Sequence, residues 1–265
     1  MKRTSVVLGL LGLVCAVAMP GARAAVCLKE DFSDGKFDGV GGVYMQGVSD
    51  VQRNDPSILP FNILDGVLKT GDPSTTAGAD GVSTVDADPP GVRYLLLTGD
   101  PAWADVSVTS KIMIDSQGTG SVALVLRAAP KAKPGDPDTW YEFRYTTGLP
   151  PVLPDEEASG IQQNQDPPSL RISKVVNGKW TQLAETDVAK NASIPNISNS
   201  GDLAGEFATF RFTATGTLLQ GFISLDGTNF TKFLEANDGE LKAGRVGIMT
   251  YDYSPVFDDF TVECP

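Results

Sequence analysis

Histidine is absent from all 265 residues. That excludes a Ser-His-Asp triad, a Cys-His pair and any His-ligated zinc or iron centre. Acid–base chemistry, if there is any, must rest on carboxylates, lysine or tyrosine. Bases are outnumbered, with 21 Lys and Arg against 33 Asp and Glu and a net charge of −12. This balance argues against nucleic acid or anionic lipid as a partner. We read the acidic excess as solvation outside the cell rather than as a cation-binding device. Helical periodicity is missing beyond the first residues, and so is any second apolar run of membrane length. Cysteine is scarce: Cys15, Cys27 and Cys264 are all there are.

The one long apolar run, Val6 to Met19, follows Lys2 and Arg3 and gives way to Pro20 and then Ala22-Arg-Ala24. This is the pattern of a cleaved export signal. It is too short and wrongly flanked for a stable membrane span. Cleavage is expected after Ala24 or Ala25. Neither Cys15 nor Cys27 follows the small residue that a lipid anchor requires. The expected organisation is a signal peptide over residues 1–24 and a single domain over 25–265, secreted or periplasmic and without a membrane span. Losing 24 of 265 residues leaves 241. Three of the 21 bases and none of the acids go with them, so the charge moves from −12 to −15. Cys15 leaves too. Cys27 and Cys264, one near each end of an exported chain, then read as a disulfide. Closing nearly the whole chain would stabilise it by about 4–5 kcal/mol on the loop-entropy model.

Short runs of alternating apolar and polar residues fill the remainder. Ala104 to Ile114 places Val106, Val108, Ile112 and Ile114 on one face. Glu206 to Ala214 places Phe210, Phe212 and Ala214 on one face. Similar runs stand at 92–98, 121–127, 140–147, 170–176, 179–184, 218–225, 245–250 and 256–263. Val176-Asn-Gly-Lys179, Asp226-Gly227 and Asp65-Gly66 are tight-hairpin signals. Such runs divided by Gly, Pro and Asn indicate an antiparallel sandwich. Long loops rich in Pro, Gly and Asp separate several of them, yet no composition shift marks a domain boundary.

The series as a whole resembles a known group. Glu30-Asp-Phe-Ser-Asp-Gly35, Asp65-Gly-Val-Leu68 and Ala104 to Lys111 stand in the order of its opening strands. Val122 to Arg127 and Trp140-Tyr-Glu-Phe-Arg-Tyr145 follow. The close is Gly244-Arg-Val-Gly-Ile248 and Phe257-Asp-Asp-Phe-Thr-Val262. Together they resemble the concanavalin A-like, or laminin G-like, jelly roll, and within it the 3-keto-disaccharide hydrolase domain family of exported bacterial proteins. The resemblance implies two curved antiparallel sheets and a concave face that handles glycans. Catalytic glucanases of this fold carry a Glu-x-Asp-x-x-Glu or Glu-x-Asp-x-Glu strand, which is not found here. Glu235-Ala-Asn-Asp-Gly-Glu240 has the residue types in a turn-rich segment with the wrong spacing.

Two sets of candidate residues follow. Strict alternation puts Asp258 on one face with Val256, Phe260 and Val262, and Glu30 on one face with Leu28 and Phe32. Core-facing carboxylates need a partner. A structural calcium held by Glu30, Asp258 and backbone carbonyls would supply it, as would backbone amides or an arginine at the strand ends. Asp31 and Asp259 are second choices if the alternation slips by one residue. For a glycan face the candidates are Arg127, Trp140, Glu142, Arg144, Arg171, Tyr251 and Tyr253. Sugars stack apolar C–H faces on aromatic rings and bond planar polar groups, which a mixed Trp, Arg and Glu face provides. The leading expectation is an exported, non-catalytic module that binds polysaccharide or another glycan. The alternatives are a glycoside-acting enzyme of the 3-keto-disaccharide hydrolase type and an envelope or matrix protein with no small ligand.

Overall fold

The computed structural model describes residues 25–35, 43–46, 61–70, 93–113, 121–129, 139–146, 168–177, 179–188, 206–251 and 255–264. The expected signal peptide lies outside the described residues. Among the described residues there are strands and no helix. In chain order they are β1 (Ala25–Glu30), β2 (Val43–Gln46), β3 (Phe61–Leu64), β4 (Val67–Thr70), β5 (Arg93–Thr98), β6 (Val106–Met113), β7 (Ser121–Ala129) and β8 (Thr139–Thr146). The series continues with β9 (Ser169–Val176), β10 (Lys179–Asp187), β11 (Phe207–Thr215), β12 (Leu218–Ser224), β13 (Thr231–Asn237), β14 (Arg245–Tyr251) and β15 (Val256–Cys264).

They form two antiparallel sheets. The first runs β13-β12-β11-β6-β15-β4-β3, with β1 also paired to β15. The second runs β10-β9-β8-β7-β14-β5-β2. Two of the three hairpin signals set local registers; Asp226-Gly227 instead lies in a longer connection between Ser224 and Thr231, where Asp226 Oδ1 accepts from Thr228 N and Asn229 N. Asp65 and Gly66 take φ of 56° and 76° between β3 and β4, where Leu64 faces Val67. This is the paired left-handed turn that an Asp-Gly sequence favours. Asn177, at φ 53°, opens the turn that sets Val176 opposite Lys179.

Alternation does the rest. Val106, Val108 and Ile112 of β6 and Phe210, Phe212 and Ala214 of β11 all enter the core between the sheets. They meet Tyr141, Phe143 and Tyr145 from β8. The Phe143 ring centroid lies 5.9 Å from those of Phe210 and Phe212, and Tyr145 meets Phe210 edge-on. Each such buried ring stabilises the sandwich by about 1.5–3 kcal/mol. Gly221 admits this packing, since a Cβ there would come within 2.5 Å of the Phe143 ring.

The first and last strands lie side by side, with Ala25 opposite Cys264 and Glu30 opposite Phe260. The Cys27–Cys264 disulfide joins them, with Cα atoms 5.9 Å apart. Two strands escape the alternation argument. β13, Thr-Lys-Phe-Leu-Glu-Ala-Asn, has Leu234 as its one fully buried residue. It is an edge strand, and its pairing with β12 is irregular at Gly221/Phe222. An edge strand exposed to this degree has no strict apolar period to read. β2, four residues long, lies at the edge of the second sheet.

Candidate functional site

β8 separates two environments. Tyr141, Phe143 and Tyr145 face the first sheet, and Trp140, Glu142 and Arg144 face the far side of the second. That far side is not a solvated surface. Trp140 is 1% exposed, Glu142 0% and Arg144 8%. Leu95, Leu97, Ala123, Val125, Ala128, Val175 and Met249 form a second apolar cluster with Trp140, and Trp180 packs against it.

Glu142 is the centre of the polar part. Its Oε2 accepts from Trp140 Nε1 at 2.9 Å and its Oε1 from Trp180 Nε1 at 3.1 Å. Arg144 Nε lies 3.5 Å from the same Oε1, and the Arg144 guanidinium stacks 4.2 Å from the Trp180 ring centroid. A buried carboxylate survives only when paired and hydrogen-bonded. Here two indoles and a guanidinium do both, and they hold Trp180 by its edge and by one face. Arg171 stands directly opposite Arg144 across β8 and β9. Its Nε donates to Glu185 of β10, whose other oxygen accepts from Gln182 Nε2 at 2.9 Å. Ser173 lies between Glu142 and Gln182 in the register, its buried hydroxyl without a partner. Trp180 is half-buried, and Gln182 and Glu185 are exposed. The reachable edge therefore lies on β9 and β10.

The structure thus brings together Trp140, Glu142, Arg144 and Arg171 and adds Trp180, Gln182 and Glu185. Trp180 and Gln182 were legible in the Asn-Gly hairpin, whose tight turn sets Val175 opposite Trp180 and so puts both on the Trp140 face; Glu185 joins them only because β10 loses register between Gln182 and Ala184, which no turn signal announces. Tyr251 ends β14 opposite Arg93 and Ser121. Its side chain, and Tyr253 altogether, lie outside the described residues.

Arg127 does not belong to this group. It sits at a break in register of β7 with φ 50° and is 2% exposed. Its guanidinium donates to Ala104 O at 2.8 Å and Leu241 O at 2.9 Å and lies 3.6 Å from Asp105 Oδ1. It ties loops at one end of the sandwich. Gly244 permits this closure, because a Cβ there would stand 2.4 Å from the Arg127 carbonyl carbon. The segment from Glu235 to Glu240 serves the same end. The Tyr141 hydroxyl donates to Asp238 Oδ1 and accepts from Leu241 N at 3.0 Å. Lys174 Nζ lies 2.5 Å from Asp238 Oδ2 and 2.8 Å from Glu240 Oε2. Burial, then the Asp238 contact, pushes the Tyr141 pKa up to about 12. The bonds to Asp238 and Glu240 raise that of Lys174. Burial pushes the Asp238 carboxyl upward, but the bonds from Lys174, Tyr141 and the Glu240 amide outweigh it, and its pKa falls below 3.8.

The pairing of Glu30 with Asp258 around a calcium ion is corrected by a bulge. β15 loses register against β6 between Asp258 and Thr261, where Asp259 takes φ 48°. The extra residue reverses the alternation. Phe257, Phe260 and Val262 enter the core. Asp258 instead faces outward opposite Lys111, whose Nζ lies 3.8 Å from Asp258 and 2.6 Å from Asp259. Glu30 stays on the core-facing side, 7% exposed, opposite Phe260. The two acids lie on opposite faces of one sheet, and a lysine ammonium already neutralises one of them. Among the described residues no group of three His, Cys, Asp or Glu could hold a metal ion.

Two antiparallel sheets packed face to face, with the first and last strands paired in one of them, define a jelly-roll sandwich. Solved structures with this fold include the basic winged bean lectin with Tn-antigen, at 8% identity over 92% of this chain and 99% of that chain, with a TM-score of 0.53. The CBM2 module of the evolved Dit of Lactobacillus casei BL23 phage J-1 matches at 10% identity over 90% and 95%, with a TM-score of 0.51. The VIP36 exoplasmic/lumenal domain in its Ca2+-bound form matches at 11% identity over 87% and 88%, with a TM-score of 0.53. At these identities the likeness is one of fold. No family model matches the chain, and no curated protein matches it.

Proposed function

We propose that this protein is an exported, non-catalytic carbohydrate-binding module whose ligand contacts the far face of the second sheet at β9 and β10. Trp180 is the stacking platform. Arg171, Gln182 and Glu185 supply the planar polar groups, and Trp140, Glu142 and Arg144 hold the platform in place. The observation that carries this reading is the grip on Trp180: an indole whose N–H, edge and one face are all held is pre-organised for stacking. The likeness of fold to the winged bean lectin with Tn-antigen and to the CBM2 module of the phage Dit supports a glycan as ligand. Export through residues 1–24 is supported by the Cys27–Cys264 bond, which needs an oxidising compartment.

The finer resemblance, to 3-keto-disaccharide hydrolases, rests on the order of sequence motifs. Glu142 favours binding over hydrolysis, because both its oxygens are engaged by indole N–H groups. Affinity electrophoresis against a polysaccharide panel tests the proposal. The parent should be retarded by at least one glycan, and Trp180→Ala should migrate freely at a temperature where circular dichroism shows it folded, although the lost bond to the buried Glu142 lowers its melting temperature. Retardation that survives this substitution would move the site elsewhere. A parent retarded by no glycan would leave the envelope or matrix role in its place.

A further inference from the structure

We infer that the glycan taken at this face is uncharged, and that Glu142 and Glu185 are the residues that exclude anionic sugars. The inference rests on the carbohydrate-binding reading. Arg144 and Arg171 are opposite each other on neighbouring strands, where like charges repel. Each is neutralised on its outer side: Arg144 by Glu142 and Arg171 by Glu185. Across the face one row runs Arg144, Arg171, Glu185, and Glu142 stands two residues before Arg144 along β8. Asp187, opposite Ser169 at the end of β10, adds one more acid. Among the described residues of β8 to β10 on this face, two arginines thus meet three carboxylates. The whole chain carries −12.

A sugar carboxylate or sulfate would have to displace Glu185 from Arg171 and approach against the field of the chain. A neutral sugar meets no such barrier. A hydroxyl both donates and accepts, so one sugar hydroxyl can accept from the Arg171 guanidinium while it donates to Glu185. Neighbouring hydroxyls on one ring suit the adjacent Arg171 guanidinium and Glu185 carboxylate. The Trp180 ring takes the apolar face of the same sugar.

The test is native affinity electrophoresis at low salt in gels containing a neutral glucan, a galactomannan, polygalacturonate or alginate. It uses the full mature protein, Glu185→Gln and Trp180→Ala. The parent is expected to be retarded by a neutral polysaccharide and not by either polyuronate. Glu185→Gln uncovers Arg171 while keeping an acceptor for Gln182, and should gain up to about fivefold in polyuronate retardation, the upper scale of one exposed ion pair. That gain should vanish at about 1 M salt, where the Debye length is about 3 Å. Parent protein retarded by polyuronate through Trp180 would overturn the inference and leave the binding reading standing. The same holds if Glu185→Gln gains no polyuronate retardation. No retardation by any polysaccharide would overturn both.

Discussion

Replacing Arg127 should weaken the sandwich without touching the proposed glycan face. The side chain is buried, yet its charge is used at the end of the barrel-like core, on Ala104 O and Leu241 O. Each hydrogen bond from a charged donor is worth about 1.5–3 kcal/mol. Ala104 is an exposed residue and Leu241 a half-buried one, so water can repair part of the loss at both carbonyls, which argues for the lower end. The Asp105 contact, 3.6 Å long with Asp105 47% exposed, adds less than about 1 kcal/mol. The sum is about 3 kcal/mol for Arg127→Met, which keeps the apolar stem, and about 1–2 kcal/mol more for Arg127→Ala, which also leaves a cavity. At about 2–4 °C per kcal/mol for a chain of this size, Arg127→Met should melt roughly 6–12 °C below the parent. Calorimetry gives the melting temperature, and affinity electrophoresis well below it gives binding, which should be retained. A methionine variant that melts within about 1 °C of the parent refutes the reasoning. So does a stably folded variant that has lost its glycan.

Two further predictions concern the ends and the loop locks. Replacing Cys27 and Cys264 by serine should cost about 4–5 kcal/mol on the loop-entropy model, read as a fall in denaturant midpoint with an altered unfolded baseline; an unchanged midpoint would show that β1 is held by its strand pairing alone. For pH, Asp238 titrates below 3.8 when folded, so its contribution is present above that pH and lost as pH falls through the folded value. Lys174 and Tyr141 are raised, so theirs are present below 10.5 and 10.0 and lost as pH rises beyond, for Tyr141 towards about 12. The melting-temperature gap between the parent and Lys174→Met should therefore be widest from about pH 5 to 9 and close at both extremes; a gap constant across the whole range would remove the lysine from the network.

Strand identity was legible wherever one side of the strand is core and the other is not. β6 and β11 show this most clearly, with Val108 and Phe212 in and Thr109 and Arg211 out. β8 was legible in its alternation but not in its environment. Trp140, Glu142 and Arg144 are on the side that period two assigns to them, yet that side is buried too, and no pattern within one strand reports what lies across from it. Asp258 was misassigned because a single bulge residue, Asp259, reverses every face beyond it, and an Asp-Asp pair carries no mark of which residue is extra. Arg127 was placed on the sugar face by its position at the end of an alternating run. The break in register at that point sends its side chain to the loops instead.

By itself, the sequence determined the all-β class, the Asp65-Gly66 and Asn177-Gly178 hairpin turns, the closure of the chain by Cys27 and Cys264, and the absence of histidine chemistry. These depend on neighbours along the chain, on residue type, or on a pairing that follows once Cys15 is assigned to the expected signal peptide. The tertiary structure decided which charged groups meet: Glu142 between two indoles, Arg171 against Glu185, Arg127 across the end of the sandwich, Asp258 against Lys111 rather than Glu30. Those contacts join strands far apart in sequence, and strand register, with its bulges, sets each of them before any side chain chooses a partner.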